Sequence, residues 1–318
     1  MKQNLPISVL RCGIAALLLL LNQAAHSQLS EAMPSVEVGI TVGPSNFLGD
    51  LGGNVGRGTR FLKDNNFQTT KMTVGGYVSY QPREWIGVRA AINYGSLEGD
   101  DAIIKGKGGL EEYRKIRNSN FRSKLFEALI MAEIYPTVFF EYDQFDVYHK
   151  LRPYLTFGVG MFKFNPKGLD DATGQWVELQ PLHTEGQGFP EYPGRQPYKL
   201  TEMNIPMGIG IKYFINDRMS LSFELIHRQT STDYIDDVST NYIDPTLFYQ
   251  YLPPAQAQVA ERMANKTGTP LSRVFDAGDK RGNPKLNDSY YSAGFKLGMR
   301  LGGGSSRWNN STRCPVAF

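Results

Sequence analysis

The sequence is short of cysteine and has no long hydrophobic run. Of its 318 residues only two are cysteines, Cys12 and Cys314. Because Cys12 lies in a segment that we expect to be removed on export, the mature chain keeps one cysteine and has no intramolecular disulfide. No stretch after Leu21 approaches the roughly 18 apolar residues that a transmembrane helix needs. A helical membrane protein is therefore excluded, and a soluble secreted protein or an outer-membrane β-barrel remains.

The chain also lacks an excess of charge of one sign. Lys and Arg number 34 and Asp and Glu number 31, which gives a formal net charge of +3. Nucleic acid is therefore not an expected partner. Aromatic residues make up 12% of the chain and there are 33 glycines, a composition that favours many short strands and turns.

The N-terminus has the pattern of a secretory signal. Lys2 and Arg11 precede the apolar run 12–21, and small residues stand three and one positions before a cleavage site after Ser27. We predict that residues 1–27 are a signal peptide. The alternative is a membrane anchor, but ten apolar residues rise only about 15 Å as a helix, which is half of a bilayer core.

Period-two alternation of apolar and polar residues dominates the rest of the chain. In segment 204–213, for example, Ile205, Ile209 and Ile211 oppose Asn204 and Lys212. A strand with one face toward lipid and the other toward a polar lumen has this pattern. Eight segments show it, the fourth least regularly: 35–43, 71–80, 86–95, 123–142, 154–161, 204–213, 219–228 and 291–301. We therefore predict an all-β fold, an eight-stranded antiparallel transmembrane β-barrel over residues 28–301, followed by a flexible C-terminal tail, 302–318.

The links between these segments alternate in length. Short links follow segments two, four and six, at residues 81–84, 143–150 and 216–218. Long links follow the odd segments, at residues 44–70, 97–122, 165–203 and 231–288. Outer-membrane barrels combine long extracellular loops with short periplasmic turns. The pattern predicts an outer-membrane location with both termini in the periplasm.

The polar faces of the strands carry charges, which separates two kinds of barrel. A soluble β-sandwich or lipocalin-like barrel also alternates its faces, but it turns the apolar face inward. Unpaired charges cannot be buried in a dry core, whereas a narrow lumen lets opposite charges neutralise one another. We predict a lumen charge network of Arg89, Lys212, Glu224, Arg228, Lys296 and Arg300. Eight strands leave a lumen that side chains fill, so we do not expect an open pore.

Residues with catalytic or metal-binding potential are few. His227 lies toward the end of segment seven, but Gln229, two positions on, is no nucleophile, so we expect no enzymatic activity and no cofactor. Asp233, Asp236 and Asp237 form an acidic cluster that is a weak candidate for Ca²⁺, which favours several oxygen ligands. The alternative is a solvated, turn-forming loop, because the glycine-containing spacing of a calcium-binding loop is missing.

Five loop motifs together carry a family resemblance. They are Phe47-Leu48-Gly49-Asp50-Leu51, Phe164-Asn165-Pro166, Thr184-Glu185-Gly186-Gln187-Gly188, Asp233-Tyr234-Ile235-Asp236-Asp237-Val238-Ser239 with Tyr242, and Arg281-Gly282-Asn283. With these motifs the chain resembles the small Bacteroidota outer-membrane barrels that include PorG of the type IX secretion system. The resemblance implies an eight-stranded barrel associated with a periplasmic ring of secretion proteins. The tail after segment eight departs from it, because such barrels generally end close to their last strand.

Two functions follow as hypotheses. The first is a non-enzymatic accessory barrel of type IX secretion, with outer-membrane lipid around its wall and periplasmic secretion-ring proteins as partners. Its partner surface would include residues 81–85, 143–150 or 216–218, or the tail. The second is a surface-binding barrel whose outer loops hold a ligand. The third class considered, a lipid-modifying enzyme, would need a nucleophile and base that converge.

Overall fold

The computed structural model describes residues 34–52, 67–104, 109, 111–140, 147–267 and 274–301. The expected signal peptide and the C-terminal tail lie outside these residues. Eight long strands are β1 Ser35–Leu48, β2 Lys71–Arg83, β3 Ile86–Asp100, β4 Asn120–Ile134, β5 Leu151–Lys163, β8 Thr201–Phe214, β9 Met219–Thr230 and β10 Ser289–Leu301. Two short strands are β6 Pro166–Asp170 and β7 Gln175–Glu178. The helices are α1 Glu111–Arg117, α2 Val147–Lys150, α3 Thr246–Tyr251 and α4 Pro254–Ala264.

The eight long strands close into a barrel. Each pairs antiparallel with its two neighbours in the order β1, β2, β3, β4, β5, β8, β9, β10, and β10 pairs with β1. The closing register runs from Val36 opposite Leu301 to Leu48 opposite Ser289. A closed wall satisfies its backbone hydrogen bonds and leaves no strand edge exposed. The predicted eight-stranded antiparallel barrel is confirmed.

Outward and inward faces of the wall differ sharply in polarity. Ile209 on β8 is 59% exposed and points outward, whereas Lys212 on the same strand is 2% exposed and points inward. On β10, Phe295 is 55% exposed and the next residue, Lys296, is 1% exposed. Exposure of a continuous apolar belt of this size to water would be strongly unfavourable, so the outer wall is a bilayer-facing surface.

None of the helices in the described part of the chain has the length and apolar character that a transmembrane helix requires.

Strand ends differ from the sequence-based boundaries. β1 continues through Pro44 to Leu48, and its ladder with β10 omits Gly43 and Pro44 and resumes at Ser45 in the same register. The gap suits proline, which has no N–H to donate. β4 ends at Ile134 instead of residue 142, because Pro136 begins a 3₁₀ turn, Pro136–Phe140. The apolar residues after Ile134 therefore belong to a connection and not to the wall.

The connections alternate between the two ends of the barrel. At the end that we call the turn end lie residues 84–85, 135–140, 147–150 and 215–218. The connection between β4 and β5 is longer than predicted, because it holds the 3₁₀ turn and α2. At the other end, the loop end, lie the described residues of the long connections, namely 49–52, 67–70, 101–104, 109, 111–119, 164–200, 231–267 and 274–288. The predicted alternation of short and long links is therefore present, and the strands β6 and β7 and the helices α1, α3 and α4 are additions to the long ones.

The main hydrophobic core lies at the loop end and not inside the barrel. We call the described residues of the four long connections the loop cap. Its core includes Phe164, Leu182, Phe189, Ile235 and Phe248, which pack on barrel residues near the same end, such as Phe121 and Phe162. The hairpin β6–β7 extends the wall into the cap, because Lys167 pairs with Arg122 of β4. The cap is thus a folded unit seated on the barrel.

Candidate functional site

A four-membered charge network occupies the middle of the lumen. Arg89 on β3 lies 2.9 Å from Glu133 on β4 and 2.7 Å from Glu224 on β9. Lys296 on β10 contacts the same carboxylates, at 3.2 and 3.4 Å. Two cations and two anions from four strands therefore neutralise one another while fully buried, which is the condition under which buried charge is tolerated.

A second polar group lies nearer the turn end and centres on Glu37 of β1. Lys212 donates to both oxygens of this carboxylate, at 3.1 and 3.3 Å. Tyr77 and Ser220 donate hydroxyl hydrogen bonds to it at 2.9 and 3.0 Å. Donors from three other strands, β2, β8 and β9, thus converge on one carboxylate of β1.

A third group lies nearer the loop end and centres on Glu127 of β4. Arg228 and Tyr290 donate to its Oε1 at 2.7 Å each, and Asn204 donates to the same atom at 2.8 Å. Asn93 donates to Oε2 at 2.8 Å. The third group links β3, β4, β8, β9 and β10 beneath the cap.

The structure places five of the six predicted lumen charges inside the barrel and in ion pairs, namely Arg89, Lys212, Glu224, Arg228 and Lys296. Arg300 is half-buried near the end of β10, and its guanidinium lies 5.9 Å from the centre of the Phe214 ring.

The predicted set omitted the carboxylates Glu37, Glu127 and Glu133. A signal for them was available in the sequence. Each has the parity of the polar face on its strand, and the predicted set held five cations and one anion, which cannot form a neutral network.

Among the described residues, little space remains in the middle of the lumen. The space among Tyr77, Arg89, Glu224 and Arg228 measures about 20 Å³, enough for one water molecule. Side chains of all three polar groups fill the rest of the narrow interior, as expected for eight strands. The arrangement stabilises and rigidifies the barrel and does not suit conduction.

The loop cap has a polar centre of its own at Arg281. This guanidinium donates to Glu185 at 2.9 Å and to the carbonyl oxygen of Asp237 at 2.6 Å. Glu185 also accepts the backbone N–H groups of Ser239 and Thr240, at 3.0 and 2.9 Å. All of these residues are buried or half-buried. Burial and ion pairing therefore tie the third long connection to the fourth.

A second arginine ties the first two connections to the same centre. Arg117 at the end of α1 pairs with Asp101 at 2.7 Å and donates to the carbonyl oxygens of Asp50 and Arg281, at 2.6 and 2.7 Å. Asp101 is fully buried and also accepts the N–H of Gly52 at 3.0 Å. All four long connections thus meet in one hydrogen-bonded unit.

Backbone conformation and close packing explain why glycine occupies three positions of the loop motifs. Gly186 and Gly188 adopt positive φ angles of 72° and 86°, which side chains disfavour. At Gly282 an added Cβ would come within 2.6 Å of the Asp50 carboxylate. The motif glycines allow the loops to approach one another closely.

The acidic residues of the fourth connection are held by the cap itself. Asp236 accepts the N–H groups of Leu51 and Val238, at 2.9 and 3.0 Å. Asp237 accepts hydroxyl hydrogen bonds from Thr184 and Tyr198. In the described ranges, no group of three or more His, Cys, Asp or Glu is arranged to hold a metal ion. The calcium candidates Asp233, Asp236 and Asp237 therefore do not surround a common metal position.

Burial changes the acidity of these carboxyl groups. It raises the pKa of Asp233 to about 8 and that of Asp237 to about 6, the latter despite the nearby Arg281. The pKa values of Asp236 and Asp288 are also raised, first through burial and then through repulsion among the neighbouring carboxylates. The cap therefore holds protons that the same residues would release in water.

A cavity of about 210 Å³ opens beside α3 and α4 in the cap. Its wall includes the ring of Phe275, which stacks on Tyr242 with a centroid distance of 5.3 Å. Glu261 and Asp276 contribute carboxylates, and Phe248 contributes an apolar side. Apart from Tyr242, these residues carry no motif in the sequence. The cavity forms where three separate stretches of the fourth long connection fold against one another.

His227 lies on the outward face of β9, half-buried in the wall. It shares that face with Leu225 and Gln229 on either side, which offer no nucleophile.

The chain matches one protein family and is similar to several solved barrel structures. The model of a family described as "Domain of unknown function (DUF6089)" matches residues 12–178. No curated protein matches the chain. Among solved structures, the chain is similar to Ail of Yersinia pestis, which was solved in complex with the heparin analogue sucrose octasulfate. The two chains are 8% identical with a TM-score of 0.34, and the match covers 85% of this chain and 99% of that chain.

Two further solved structures are similar at the same level. Neisserial surface protein A is 8% identical, with a TM-score of 0.34, and the match covers 84% of this chain and 97% of that chain. OprG from Pseudomonas aeruginosa is 9% identical, with a TM-score of 0.34, and the match covers 86% and 98%.

Proposed function

The chain belongs to the family described as Domain of unknown function (DUF6089), and from this premise we propose that it is a non-enzymatic outer-membrane barrel that serves as an accessory component of type IX protein secretion. The barrel anchors the chain in the membrane, and the loop cap faces outward. Both barrel termini then lie in the periplasm. The filled lumen argues against a role as a channel for solutes or for exported protein.

One observation carries this proposal. The loop motifs behind the resemblance to PorG-containing barrels belong to different connections, yet Asp50, Glu185, Asp237 and Arg281 meet in one buried polar unit. Chance similarity of short motifs would not require the motifs to contact one another. Their convergence supports a shared cap architecture and hence the family resemblance.

The turn end offers a surface for a periplasmic protein. Phe140 and Val147 in the connection between β4 and β5 are 61% and 62% exposed, and Phe139 lies 6.0 Å from the ring of Trp85 in the neighbouring turn. Aromatic and apolar side chains of this kind are enriched in protein interfaces. We propose that a secretion-ring protein contacts this connection together with the neighbouring turns.

Deletion of the gene, followed by measurement of proteins secreted through the type IX pathway, tests the proposal. We expect cargo to accumulate in the periplasm and the wild-type gene to restore its secretion. A Phe140→Ser/Val147→Ser variant should fold but lose crosslinks to ring proteins, whereas an exposed cap substitution, Lys285→Ser, should keep them. Normal secretion in the deletion strain would contradict the proposal.

The cavity beside α3 and α4 favours a second candidate, a surface-binding barrel. Two carboxylates, Glu261 and Asp276, stand near the aromatic ring of Phe275, a combination that suits a cationic group. Binding of a fluorescent arginine-containing peptide to the detergent-purified protein tests it. We expect Glu261→Gln to weaken binding and the exposed Asp171→Asn to leave it unchanged. Equal binding by all three proteins would contradict this candidate.

A further inference from the structure

A cluster of basic side chains lies on one side of the outer wall at the loop end. Lys124 on β4 and Lys163 on β5 are exposed and point outward. Arg122 is also exposed on β4 and is paired in register with Lys167 of β6. Lys163 of β5 is paired in register with Phe126 of β4, which lies two positions from Lys124 on the same face. The basic side chains of β4 and β5 therefore occupy neighbouring positions on one face of the wall. We call Arg122, Lys124, Lys163 and Lys167 the basic patch.

The basic patch begins where the apolar belt ends. On β4 the outward residues from Ile134 to Phe126 are apolar, and Lys124 is the first charge beyond them. On β5 the outward residues from Leu155 to Met161 are apolar, and Lys163 is the first charge. Ten residues of a strand tilted by about 40° rise about 26 Å, close to the roughly 25 Å height of the apolar band of such barrels. The two ammonium groups are therefore at the level of lipid headgroups.

The patch is local to one side of the barrel. At the loop ends of β8 and β9 the outward positions hold the uncharged residues Thr201, Met203 and Gln229. The described wall therefore does not carry a ring of lysines around the whole barrel. Such a ring would reflect only the boundary between lipid and water. The concentration of charge on β4, β5 and β6 requires a local explanation.

Ion pairs within the protein leave the centre of the patch free. Lys167 pairs with Glu178 at 3.0 Å, and on the adjacent strand Glu98 pairs with Lys71 at 2.8 Å. Among the described residues, no carboxylate lies within ion-pair distance of Lys124 or Lys163. Positive charge on this face therefore exceeds negative charge, and an anion from outside the chain would balance it.

Aromatic side chains fix the geometry around the patch. The guanidinium of Arg122 lies 4.0 Å from the centre of the Trp176 ring, which orients it on the outer surface. Tyr94 and Phe126 are paired in register just below the lysines and are both 49% exposed. Aromatic rings at this level are typical of the interface between lipid tails and headgroups.

We propose that the basic patch binds the phosphate groups of lipid A in the outer leaflet of the outer membrane. Arg122 presents a planar set of donors that suits a phosphate, and the lysines supply ammonium groups whose apolar stems lie along the belt. The inference rests on the outward orientation of the cap in the proposed function, because lipid A occupies only the outer leaflet. It does not depend on a role in secretion.

Binding of phosphorylated and dephosphorylated lipid A to the full mature chain in detergent micelles tests the proposal. We expect the phosphorylated form to bind at least about tenfold more tightly, and the Lys124→Gln/Lys163→Gln variant to lose this preference. Lys115→Gln/Lys285→Gln, which removes two exposed charges from the cap, is the matched control and should bind like wild type. Unfolding temperatures of all the variants should agree, which separates lost binding from lost folding.

Three results would overturn the proposal. The first is equal binding of the two lipid A forms, and the second is equal binding by the patch variant and wild type. The third is displacement of lipid A by inorganic phosphate at equal concentration, because this result would indicate a site for free phosphate.

The orientation of the barrel is tested in a separate experiment. A single cysteine is introduced with Lys285→Cys in a Cys314→Ser background, and intact cells are labelled with an impermeant maleimide. Labelling of this cysteine supports the assignment of the loop end, and with it the basic patch, to the outer leaflet. Protection from the label overturns it together with the proposed topology, whatever the micelle experiment gives.

Discussion

Arg281 and Glu185 lie 2.9 Å apart although they belong to different long connections of the barrel. Both side chains are fully buried, and Arg281 also accepts, through its carbonyl oxygen, a hydrogen bond from Arg117 at 2.7 Å. The contact makes the cap a single folded unit instead of four independent loops.

Removal of Arg281 should loosen the cap while the barrel stays folded. Arg281→Met leaves Glu185 buried without its cation, and breaking a buried pair in this way costs about 3 to 5 kcal/mol. Limited proteolysis of the detergent-purified protein should therefore cut the third and fourth connections sooner than in wild type. Lys285→Met is the exposed control, and equal cleavage of the two variants would contradict the assigned role of Arg281.

The lumen network should show coupling between Glu224 and Lys296. Glu224→Gln leaves Arg89 and Lys296 with one shared carboxylate, Glu133, and is expected to destabilise the barrel strongly. Lys296→Gln made in addition restores charge balance, because the pair of Arg89 and Glu133 remains. Urea unfolding in lipid should show that the double variant loses about 1 to 3 kcal/mol less than the sum of the single variants. Strict additivity would mean that the two residues do not share a network.

The outward position of Phe223 predicts a cost for charge at that site. A cation near the bilayer midplane of a barrel costs about 2 to 4 kcal/mol, so Phe223→Arg should lower the folding yield in lipid vesicles, whereas Phe223→Leu should fold well. Ser222 is not a suitable comparison, because it lies in register between Lys212 and Lys296 and an arginine there would meet like charges. Equal yields for the two Phe223 variants would place this face outside the bilayer.

The cap should become less stable as pH rises. Burial raises the pKa of Asp233 to about 8 and of Asp237 to about 6 from an ordinary value of 3.8, so the folded cap binds protons more tightly than the unfolded chain. This contribution is complete below about pH 4 and is lost as pH rises through 6 to 8. Hydrogen exchange of cap amides, corrected for intrinsic rates, should show less protection at pH 8 than at pH 5.

Asp233→Asn isolates the contribution of one of these carboxyl groups, whose pKa burial raises to about 8. A permanently neutral side chain should reduce the loss of protection between pH 6 and 8. Asp171→Asn, which changes a side chain that is 61% exposed, should retain the wild-type dependence. Unchanged pH dependence in Asp233→Asn would assign the effect to other groups.

Sequence alone determined the barrel and the direction of its side chains. Alternation is a local property with a period of two, so a short window around Ile209 and Lys212 already assigns opposite faces. Even the irregular fourth strand kept its parity: Phe126 and Ile130 point outward, and Glu127 points inward. The closed wall followed because eight amphipathic strands with one lipid-facing side have no other way to satisfy their backbone hydrogen bonds.

Only the tertiary structure decided which charges pair and what the long connections do. The partners Glu37 and Lys212 are 175 residues apart, and no local pattern links them. The convergence of Asp50, Glu185 and Arg281 likewise depends on four connections folding over the same opening. The surroundings of the acidic cluster depend on the tertiary structure for the same reason. Asp236 accepts a hydrogen bond from Leu51 of the first connection and Asp237 accepts one from Thr184 of the third, and no spacing along the chain predicts such contacts.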